Sequence, residues 1–254
     1  MDDAELLRYS RQIMLPELDV AGQETLLAAR ALVVGLGGLG SPLALYLTAA
    51  GVGHLTLVDD DRVEASNLQR QILHGQADIG RAKTASAADR LWQLNPAVDL
   101  TLLEGRLEGE TLDAAVAKVD VVVDGTDNLA TRYALNRACL QHQRPWVSAA
   151  AIRFEAQLTC FDPRLEDSPC YRCLWPDAEE LALNCAENGV IAPLVGSVGA
   201  LQALEAIKLL TGIGETLVGR VLTFDALSCR WQEFRLRRRD DCLDCGTAAI
   251  SPTG

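Results

Sequence analysis

Hydrophobic residues recur along the chain in two alternating patterns, one typical of buried strands and one typical of amphipathic helices. Short apolar runs predict strands at 31–35, 54–59, 99–104 and 119–124. Apolar residues spaced three and four positions apart predict helices at 41–50, 81–93, 109–117 and 128–142. Strands that alternate with helices in this way build a mostly parallel sheet with helices on both faces.

The pattern changes after about residue 145. The segments PWVSAAA and RFEAQLTCFD predict consecutive strands with no helix between them, followed by a helix at 193–212 and strands near 217–225 and 229–236. The fold class predicted is therefore α/β: a Rossmann-like, doubly wound, mostly parallel sheet extended by antiparallel strands. We expect a single domain over 1–254, with an N-terminal half at about 30–145 and a C-terminal half at about 146–250. Residues 162–190, rich in Pro, Cys, Asp and Asn, favour a long functional loop.

Composition narrows the class of protein. The chain has 254 residues, 49% of them hydrophobic, which is enough for a substantial core. Its formal net charge of −12 argues against a nucleic-acid partner, because phosphate contacts need a basic surface. The basic run at 235–239 is followed at once by two aspartates and is interpreted as a solvated strand end. We expect a cytoplasmic protein with no membrane partner, since no signal peptide opens the chain and the longest apolar run, 193–212, is interrupted by polar residues.

A glycine-rich turn is the first sign of chemistry. In ALVVGLGGLGS at 31–41, Gly35, Gly37 and Gly40 have the G-x-G-x-x-G spacing of a dinucleotide fold, between a predicted strand and a predicted helix. Glycines let the backbone approach a phosphate, and the helix N-terminus attracts the anion. Asp59 closes the next strand, where a carboxylate suits a ribose hydroxyl. The alternative for the glycine-rich segment is a tight packing turn without a ligand. Of the three aspartates at 59–61, at least one is expected to be solvated or to cap the next segment.

Cysteines give a second sign. Of the eight cysteines in the chain, four form the pairs Cys170-x-x-Cys173 and Cys242-x-x-Cys245. Two such pairs complete a tetrahedral thiolate set for Zn²⁺, and a closed set predicts a structural zinc that staples the C-terminal segment to the loop. A redox-active pair and chance pairing are the alternatives.

The remaining cysteines divide into two groups. Cys139, Cys160 and Cys229 lie in apolar periodic segments and are interpreted as small core residues. Cys185 lies in the polar segment LNCAENG, where a reactive thiol and an ordinary loop cysteine both remain open.

Taken together, these motifs resemble the MoeB/ThiF-type adenylyltransferases, relatives of the ubiquitin-activating enzymes, over essentially the whole chain. The landmarks are RYSRQI at 8–13, GLGGLGS at 35–41, SNLQRQ at 66–71, IGRAK at 79–83, DGTDN at 124–128, the four cysteines and the segment 188–208. The resemblance implies an enzyme that uses ATP and Mg²⁺ to adenylate the C-terminal Gly-Gly tail of a ubiquitin-like sulfur carrier protein. Sulfur from a donor protein then displaces the adenylate to give a thiocarboxylate. The N-terminal half would hold the nucleotide, and the C-terminal half the carrier and the zinc.

The residue types fit this chemistry. A carboxylate nucleophile is already ionised at neutral pH, so catalysis requires positioning and cations rather than a general base. Arg70 and Lys83 supply positive charge, Asn67 donates a hydrogen bond to a phosphate, and by resemblance Asp127 positions the magnesium near the α-phosphate. A cap on the helix that starts near Asn128 is the alternative role for Asp127. The nucleotide-binding residues predicted are Gly35, Gly37, Gly38, Gly40, Asp59, Asp61, Asn67, Arg70, Lys83, Asp127 and Asn128.

The resemblance also implies a homodimer. In the family, the arginine at the position of Arg11 enters the ATP site of the partner subunit. From the sequence alone, Arg11 is interpreted as a surface arginine on an N-terminal helical segment. We expect the helix at 193–212, with its small Gly and Ala positions, to help build the interface.

The carrier itself is less well defined. The segments APLVG and FDALSC favour activation of the molybdopterin-synthase small subunit (MoaD-type), in molybdenum cofactor biosynthesis. LWPDAEELALNC, with Cys185, also resembles enzymes that act on the thiamine-pathway carrier ThiS. Two alternatives of another class are an NAD-dependent oxidoreductase and a non-catalytic nucleotide-binding scaffold.

Overall fold

One continuous sheet organises the protein. The computed structural model describes residues 1–176 and 189–246. Its sheet has the strand order β3-β2-β1-β4-β5-β6-β7-β8. The strands are Arg30–Val34 (β1), His54–Asp59 (β2), Asp99–Glu104 (β3), Val121–Asp124 (β4), Trp146–Ile152 (β5), Glu155–Phe161 (β6), Arg220–Asp225 (β7) and Arg230–Arg235 (β8). The first five strands are parallel, and β6, β7 and β8 continue the sheet antiparallel to their neighbours.

Helices precede the sheet and connect its strands. The described helices are Asp3–Arg8 (α1), Ser10–Ile13 (α2), Asp19–Ala28 (α3), Gly40–Ala50 (α4), Lys83–Leu94 (α5), Gly109–Ala117 (α6), Leu129–His142 (α7), Tyr171–Leu174 (α8) and Ala192–Thr211 (α9). These bounds confirm the predicted α/β class, with parallel strands first and antiparallel strands after them. The helical segment predicted around Arg11 is α2.

Alternation along each central strand builds a core on both faces of the sheet. Ala31 and Val33 of β1 face the cluster that contains α4, α5 and α9. Leu32 and Val34 of the same strand face the cluster that contains α6 and α7. Because a strand buried on both faces reads as a continuous apolar run, this arrangement explains the sequence pattern.

The sheet changes direction of winding at β1, which lies between β2 and β4. Gly35 follows β1 with φ +88°, and a Cβ built on it would lie 2.9 Å from the carbonyl carbon of Gly125, which follows β4. Only glycine fits this positive φ and this close approach. The carboxyl ends of β1 and β4 therefore meet at the point where open α/β sheets bind ligands.

Helix α9 belongs to this core. By length and composition it is the one described helix that is apolar enough to cross a membrane, but half of its span is buried in the protein. Gly199 packs against α4, and a Cβ there would lie 2.4 Å from the Leu39 carbonyl oxygen. Gly199 thus serves packing inside the chain, and the part of α9 in a subunit interface stays a prediction.

The hairpin between β7 and β8 corrects one expectation, the burial of Cys229. Cys139 and Cys160 are buried, as predicted, but Cys229 is exposed and has φ +55°. The interpretation of Cys229 as a core residue was wrong, because the apolar segment around it folds into a turn with Asp225 accepting hydrogen bonds from Leu227 and Ser228.

Candidate functional site

A large cavity opens at the carboxyl ends of the parallel strands. Its volume is about 1970 Å³, and its lining continues from the glycine-rich turn across β4 and β5 to the β7–β8 hairpin. Ligand pockets for one small molecule usually occupy about 300–1,000 Å³, so this cavity has room for a nucleotide and a second ligand. The predicted residues that line it are Gly35, Gly37, Gly38, Asp59, Asp61, Asn67, Arg70, Lys83, Asp127 and Asn128.

Two predicted residues lie outside this lining. Gly40 is buried, and a Cβ there would lie 1.9 Å from the Gly35 carbonyl oxygen, so it closes the turn against the helix rather than facing a ligand. Arg11 is exposed on α2 and does not line its own chain's cavity. The structure therefore separates Arg11 from the other candidates within one chain.

The glycines of the turn have different roles. A Cβ on Gly37 would meet only the Gln71 amide nitrogen, at 3.5 Å, so Gly37 leaves backbone open to the cavity. A Cβ on Gly38 would crowd Val195 of α9 at 3.1 Å. Helix α4 begins at Gly40 with no side chain capping it. An uncapped helix start beside exposed glycine backbone suits an anionic ligand.

Asp59 holds the glycine turn in place. Its Oδ2 accepts a hydrogen bond from the Leu36 amide at 2.7 Å, and its Oδ1 accepts one from the Asp61 amide at 2.8 Å. Burial raises the pKa of this carboxyl, although nearby Lys83 opposes the shift. The carboxylate is thus a structural acceptor for the turn, and its contact with a ribose stays a prediction.

Lys83 supplies a buried cation at the floor of the cavity. Its Nζ lies 2.7 Å from Asp61 Oδ2 and 3.9 Å from Asp59 Oδ1. The lysine side chain is 5% exposed whereas that of Asp61 is 66% exposed. Buried lysines are usually paired with a carboxylate, and here the two aspartates balance the charge of Lys83. Because Asp61 is largely exposed, the ammonium group lies next to the solvent-filled part of the cavity, where an anionic ligand can contact it.

Arg70 and Asn67 lie in the segment after β2. Arg70 donates to the Ser66 carbonyl at 3.2 Å, and no carboxylate partner for it is found in residues 1–176 and 189–246. Asn67 Oδ1 accepts from the Glu64 amide at 3.1 Å, so its oxygen serves the loop. The guanidinium of Arg70 is therefore the more available of the two for a phosphate.

Asp127 is exposed in the loop between β4 and α7, and no hydrogen bond to its side chain is recorded in the described part of the chain. The helix cap belongs to Asn128, whose Oδ1 accepts from the Thr131 amide at 2.8 Å. The alternative role of Asp127 as a cap is thereby excluded. A free carboxylate at this edge is the kind of ligand that magnesium takes in addition to its waters.

Sequence reasoning missed two arginines of the site. Arg106 lines the cavity and pairs with Asp60 at 2.7 Å. Arg132 is buried and pairs with the buried Asp124 at 3.0 Å. A signal existed for the second, because Asp124 ends a fully apolar strand and a carboxylate buried there requires a counter-charge.

The four paired cysteines form a second, closed site. Their Sγ atoms all lie within 4.8 Å of one another. The Sγ–Sγ distances are 3.9 Å for Cys170 and Cys173, 3.6 Å for Cys170 and Cys242, and 3.4 Å for Cys173 and Cys245. A tetrahedron with Zn–S bonds of about 2.3 Å has S–S edges of about 3.8 Å. The donor set therefore fits a tetrahedral zinc with no open position.

Neighbouring groups hold one cysteine of each pair in place. The Arg239 amide donates to Cys173 Sγ at 3.4 Å, and Arg238 donates from Nε to the Cys245 carbonyl at 3.1 Å. The basic run at 235–239 is therefore part of the cysteine centre as well as a strand end. Cys185, the other cysteine of interest, lies outside the described residues.

Comparison with known proteins identifies the relationship. The ThiF family profile matches residues 9–245. The chain belongs to the ThiF family.

Relatives of this ThiF-family protein cover nearly the whole chain. It is 51% identical to the sulfur carrier protein ThiS adenylyltransferase of Escherichia coli (strain K12) over 252 residues, which are 99% of this chain and 100% of the relative. It is 48% identical to the molybdopterin-synthase adenylyltransferase of the same organism over 246 residues, 97% of this chain and 98% of the relative. The protein is accordingly an adenylyltransferase, as its motifs predicted.

Solved structures agree on the fold. The crystal structure of E. coli MccB with ATP superposes with a TM-score of 0.82 at 24% identity, covering 94% of this chain and 74% of that one. At this identity the likeness establishes the architecture alone.

Proposed function

We propose that this ThiF-family protein uses MgATP to adenylate the C-terminal glycine of a ubiquitin-like sulfur carrier, the small subunit of molybdopterin synthase (MoaD-type), for molybdenum cofactor biosynthesis. The observation that carries this proposal is one continuous cavity, in which the glycine-rich turn and the exposed Asp127 are followed by polar residues of β6, β7 and β8. The relatives named for molybdopterin synthase and for ThiS support carriers of this class. ThiS is the alternative carrier, favoured by the 51% identity.

The reaction requires no proton transfer. A carboxylate oxygen of the carrier's last glycine forms a bond to the α-phosphorus of ATP, and the bond from that phosphorus to the oxygen bridging to the β-phosphate breaks. The products are the carrier acyl-adenylate and pyrophosphate. Because the nucleophile and the phosphates are both anionic, the protein's task is to align them and to offset their charge.

The cations of the cavity suit this task. Lys83 at the floor and Arg70 on the adjoining loop are placed to bind phosphate oxygens. Asp127 would hold the magnesium, which supplies charge compensation at the phosphates when it is bound. The open backbone at Gly37 accommodates a phosphate without a side chain in the way.

The part of the cavity along these strands suits an extended peptide tail. Its floor comes from the cavity-facing residues of β5 and the three antiparallel strands beside it, with Gln157, Thr223 and Gln232 in register across β6, β7 and β8. Phe234 lies on the same face of β8 as Gln232 and is 52% exposed. A tail with glycines can pass along this polar strip, while the apolar residue at its end offers a contact for the folded part of the carrier.

We propose further that the protein is a cytoplasmic homodimer, with Arg11 of each subunit completing the site of the other. Arg11 is exposed and outside its own cavity. Helix α1 is tied to the end of α5, because Arg8 donates to the Leu94 carbonyl at 3.0 Å. Exposed apolar side chains lie on these adjoining elements, including Leu7 at 79%, Met14 at 70% and Trp92 at 64%. We propose that these side chains lie in the subunit interface, since contiguous exposed apolar patches mark interaction surfaces.

Subunit mixing tests the shared site. Arg11→Ala and Asp127→Ala are each expected to lose adenylation, whereas a mixture of the two exchanged subunits recovers part of it, since each mixed dimer contains one site with both residues intact. Carrier-dependent pyrophosphate release before and after mixing is the measurement. Activity that stays absent after confirmed subunit exchange contradicts the contribution of Arg11 in trans.

ATP–pyrophosphate exchange with each purified carrier tests the carrier assignment. We expect exchange with the molybdopterin-synthase small subunit, no exchange without a carrier, and no change in NAD absorbance under any condition. Exchange with ThiS alone would transfer the assignment to that carrier and make Cys185→Ala the next variant, for which we expect adenylation to be retained. The absence of exchange with either carrier would favour a nucleotide-binding scaffold.

A further inference from the structure

Helix α7 carries two buried polar side chains, one turn apart, that have no role in the reaction proposed above. Arg132 is 6% exposed and Asn136 is fully buried. Residues at i and i+4 lie on the same face of a helix. Buried polar groups are retained where their hydrogen-bonding capacity is satisfied, so the partners of these two side chains indicate what the helix holds together.

Arg132 holds the loop that carries Asp127. Its Nε donates to Asp124 Oδ2 at 3.0 Å, and its Nη2 donates to the carbonyl oxygens of Thr126 at 2.5 Å and Ala149 at 2.9 Å. Asp124 Oδ1 in turn accepts from the amide of Thr126 at 2.8 Å and from its hydroxyl at 2.6 Å. The residue immediately before Asp127 is therefore fixed on both sides by one buried ion pair.

Asn136 holds the cysteine centre, one turn further along the same helical face. Its Oδ1 accepts from the Tyr171 amide at 2.8 Å, and its Nδ2 donates to Asp244 Oδ2 at 2.8 Å. Tyr171 lies inside the first C-x-x-C pair and Asp244 inside the second. One side-chain amide thus binds both pairs, and an ion pair of 3.0 Å between Arg172 and Asp244 joins them again.

We propose that Arg132 and Asn136 are positioning residues, through which the closed cysteine centre fixes the orientation of Asp127. The proposal rests on the proposed function only for the role of Asp127. Asp127 has no described side-chain partner, so its direction is set by the backbone of its neighbours Thr126 and Asn128. Both neighbours are bound to α7, and α7 is bound to the cysteine pairs, which makes the helix a continuous connection between the two sites.

Arg132→Lys is the first variant, because lysine keeps the positive charge beside Asp124 but cannot reach three acceptors at once. We expect the magnesium concentration for half-maximal pyrophosphate exchange to rise about 10- to 100-fold, the range seen when groups that orient a metal ligand are changed. The KM for ATP should hardly move, and the metal content of the cysteine centre should stay at the wild-type value.

Arg144→Lys is the matched control. Arg144 also donates to a backbone carbonyl, that of Ala117 at 3.0 Å, but it lies beyond the C-terminal end of α7. An unchanged magnesium requirement in Arg132→Lys would overturn the role of Arg132.

Hydrogen exchange tests the connection without any reaction. The reporter is the Thr126 amide, and the internal reference is the Gly125 amide, which donates to the Val34 carbonyl at 2.7 Å within the sheet. We expect the Thr126 amide to exchange at least about tenfold faster in Arg132→Lys. Its acceptor is Asp124, and the substitution removes the hydrogen bond by which the Arg132 guanidinium holds that carboxylate. Asn136→Ala should act in the same direction, and so should the milder Asp244→Ala, which removes one of the two bonds of Asn136.

Two results would overturn the connection to the cysteine centre. The first is an unchanged exchange rate of the Thr126 amide in Asn136→Ala or Asp244→Ala. The second is an equal rise in the exchange rates of the Thr126 and Gly125 amides, which would indicate general loosening of the structure. This readout requires neither nucleotide nor carrier. If Asp127→Ala kept full activity, the proposed function would fail while the exchange rates would still decide whether α7 couples the two sites.

Discussion

Replacing Asp127 with alanine is expected to lower carrier-dependent pyrophosphate exchange by at least about 100-fold, the scale of losing one group that stabilises transition-state charge. The effect is large because the carboxylate is exposed at the meeting point of β1 and β4 and is free of the helix cap, which Asn128 provides. The melting temperature should remain that of the wild type, since an exposed loop side chain contributes little packing. Initial exchange rates and thermal unfolding of the same preparation are the two measurements.

The isosteric Asp127→Asn variant should be as inactive as the alanine variant, because an amide keeps the shape but loses the charge that a magnesium ligand provides. Asp167→Ala is the matched control: Asp167 is also exposed in a loop but does not line the cavity. Wild-type exchange by Asp127→Asn would show that the carboxylate has no part in binding the metal.

Replacing Cys173 with alanine is expected to remove the metal from the cysteine centre and to destabilise the protein by several kcal/mol. Structural zinc sites contribute on the order of 10 kcal/mol of binding free energy, which is folding free energy when no site exists in the unfolded chain. Cys173 also accepts a hydrogen bond from the Arg239 amide at 3.4 Å, so its loss releases the segment after β8 as well. Metal content by elemental analysis and the midpoint of denaturant unfolding check the prediction.

Cys229→Ala provides the matched control, because that cysteine is exposed in the β7–β8 turn and has no part in the centre. It should keep both its metal and its stability. A Cys173→Ala protein with the wild-type metal content and unfolding midpoint would rule out a structural metal at these four residues.

The regular elements were predictable because hydrophobic periodicity determined them. The strands around β1 and β4 are apolar on both faces, and the amphipathic segment at 81–93 matches α5 at Lys83–Leu94 within two residues. The change to antiparallel strands after residue 145 was also visible, since β5 and β6 follow each other with only two residues between them. Local patterns of this kind survive folding when they agree with the packing around them.

The turn at Cys229, the packing partner of α9 and the contacts of individual polar side chains were not predictable from such patterns. The apolar neighbours of Cys229 concealed a turn, and the small residues of α9 gave no sign of whether they face α4 or another subunit. The Asp124–Arg132 pair joins residues eight positions apart across a strand end and a helix, and its burial appears only once β5 is in place. The sequence motifs therefore located the candidate residues, whereas the roles of Asn128 as a cap and of Asp59 as an acceptor for the glycine turn required the three-dimensional contacts.

The intact mass of the carrier after incubation with MgATP and this protein tests the central claim most directly. The account predicts that the molybdopterin-synthase small subunit gains one adenylyl group with the wild-type protein and none with Asp127→Ala, and that a carrier lacking its last glycine gains none with either. An unmodified carrier in the wild-type reaction, found for both the molybdopterin-synthase and the thiamine-pathway carriers, would contradict it.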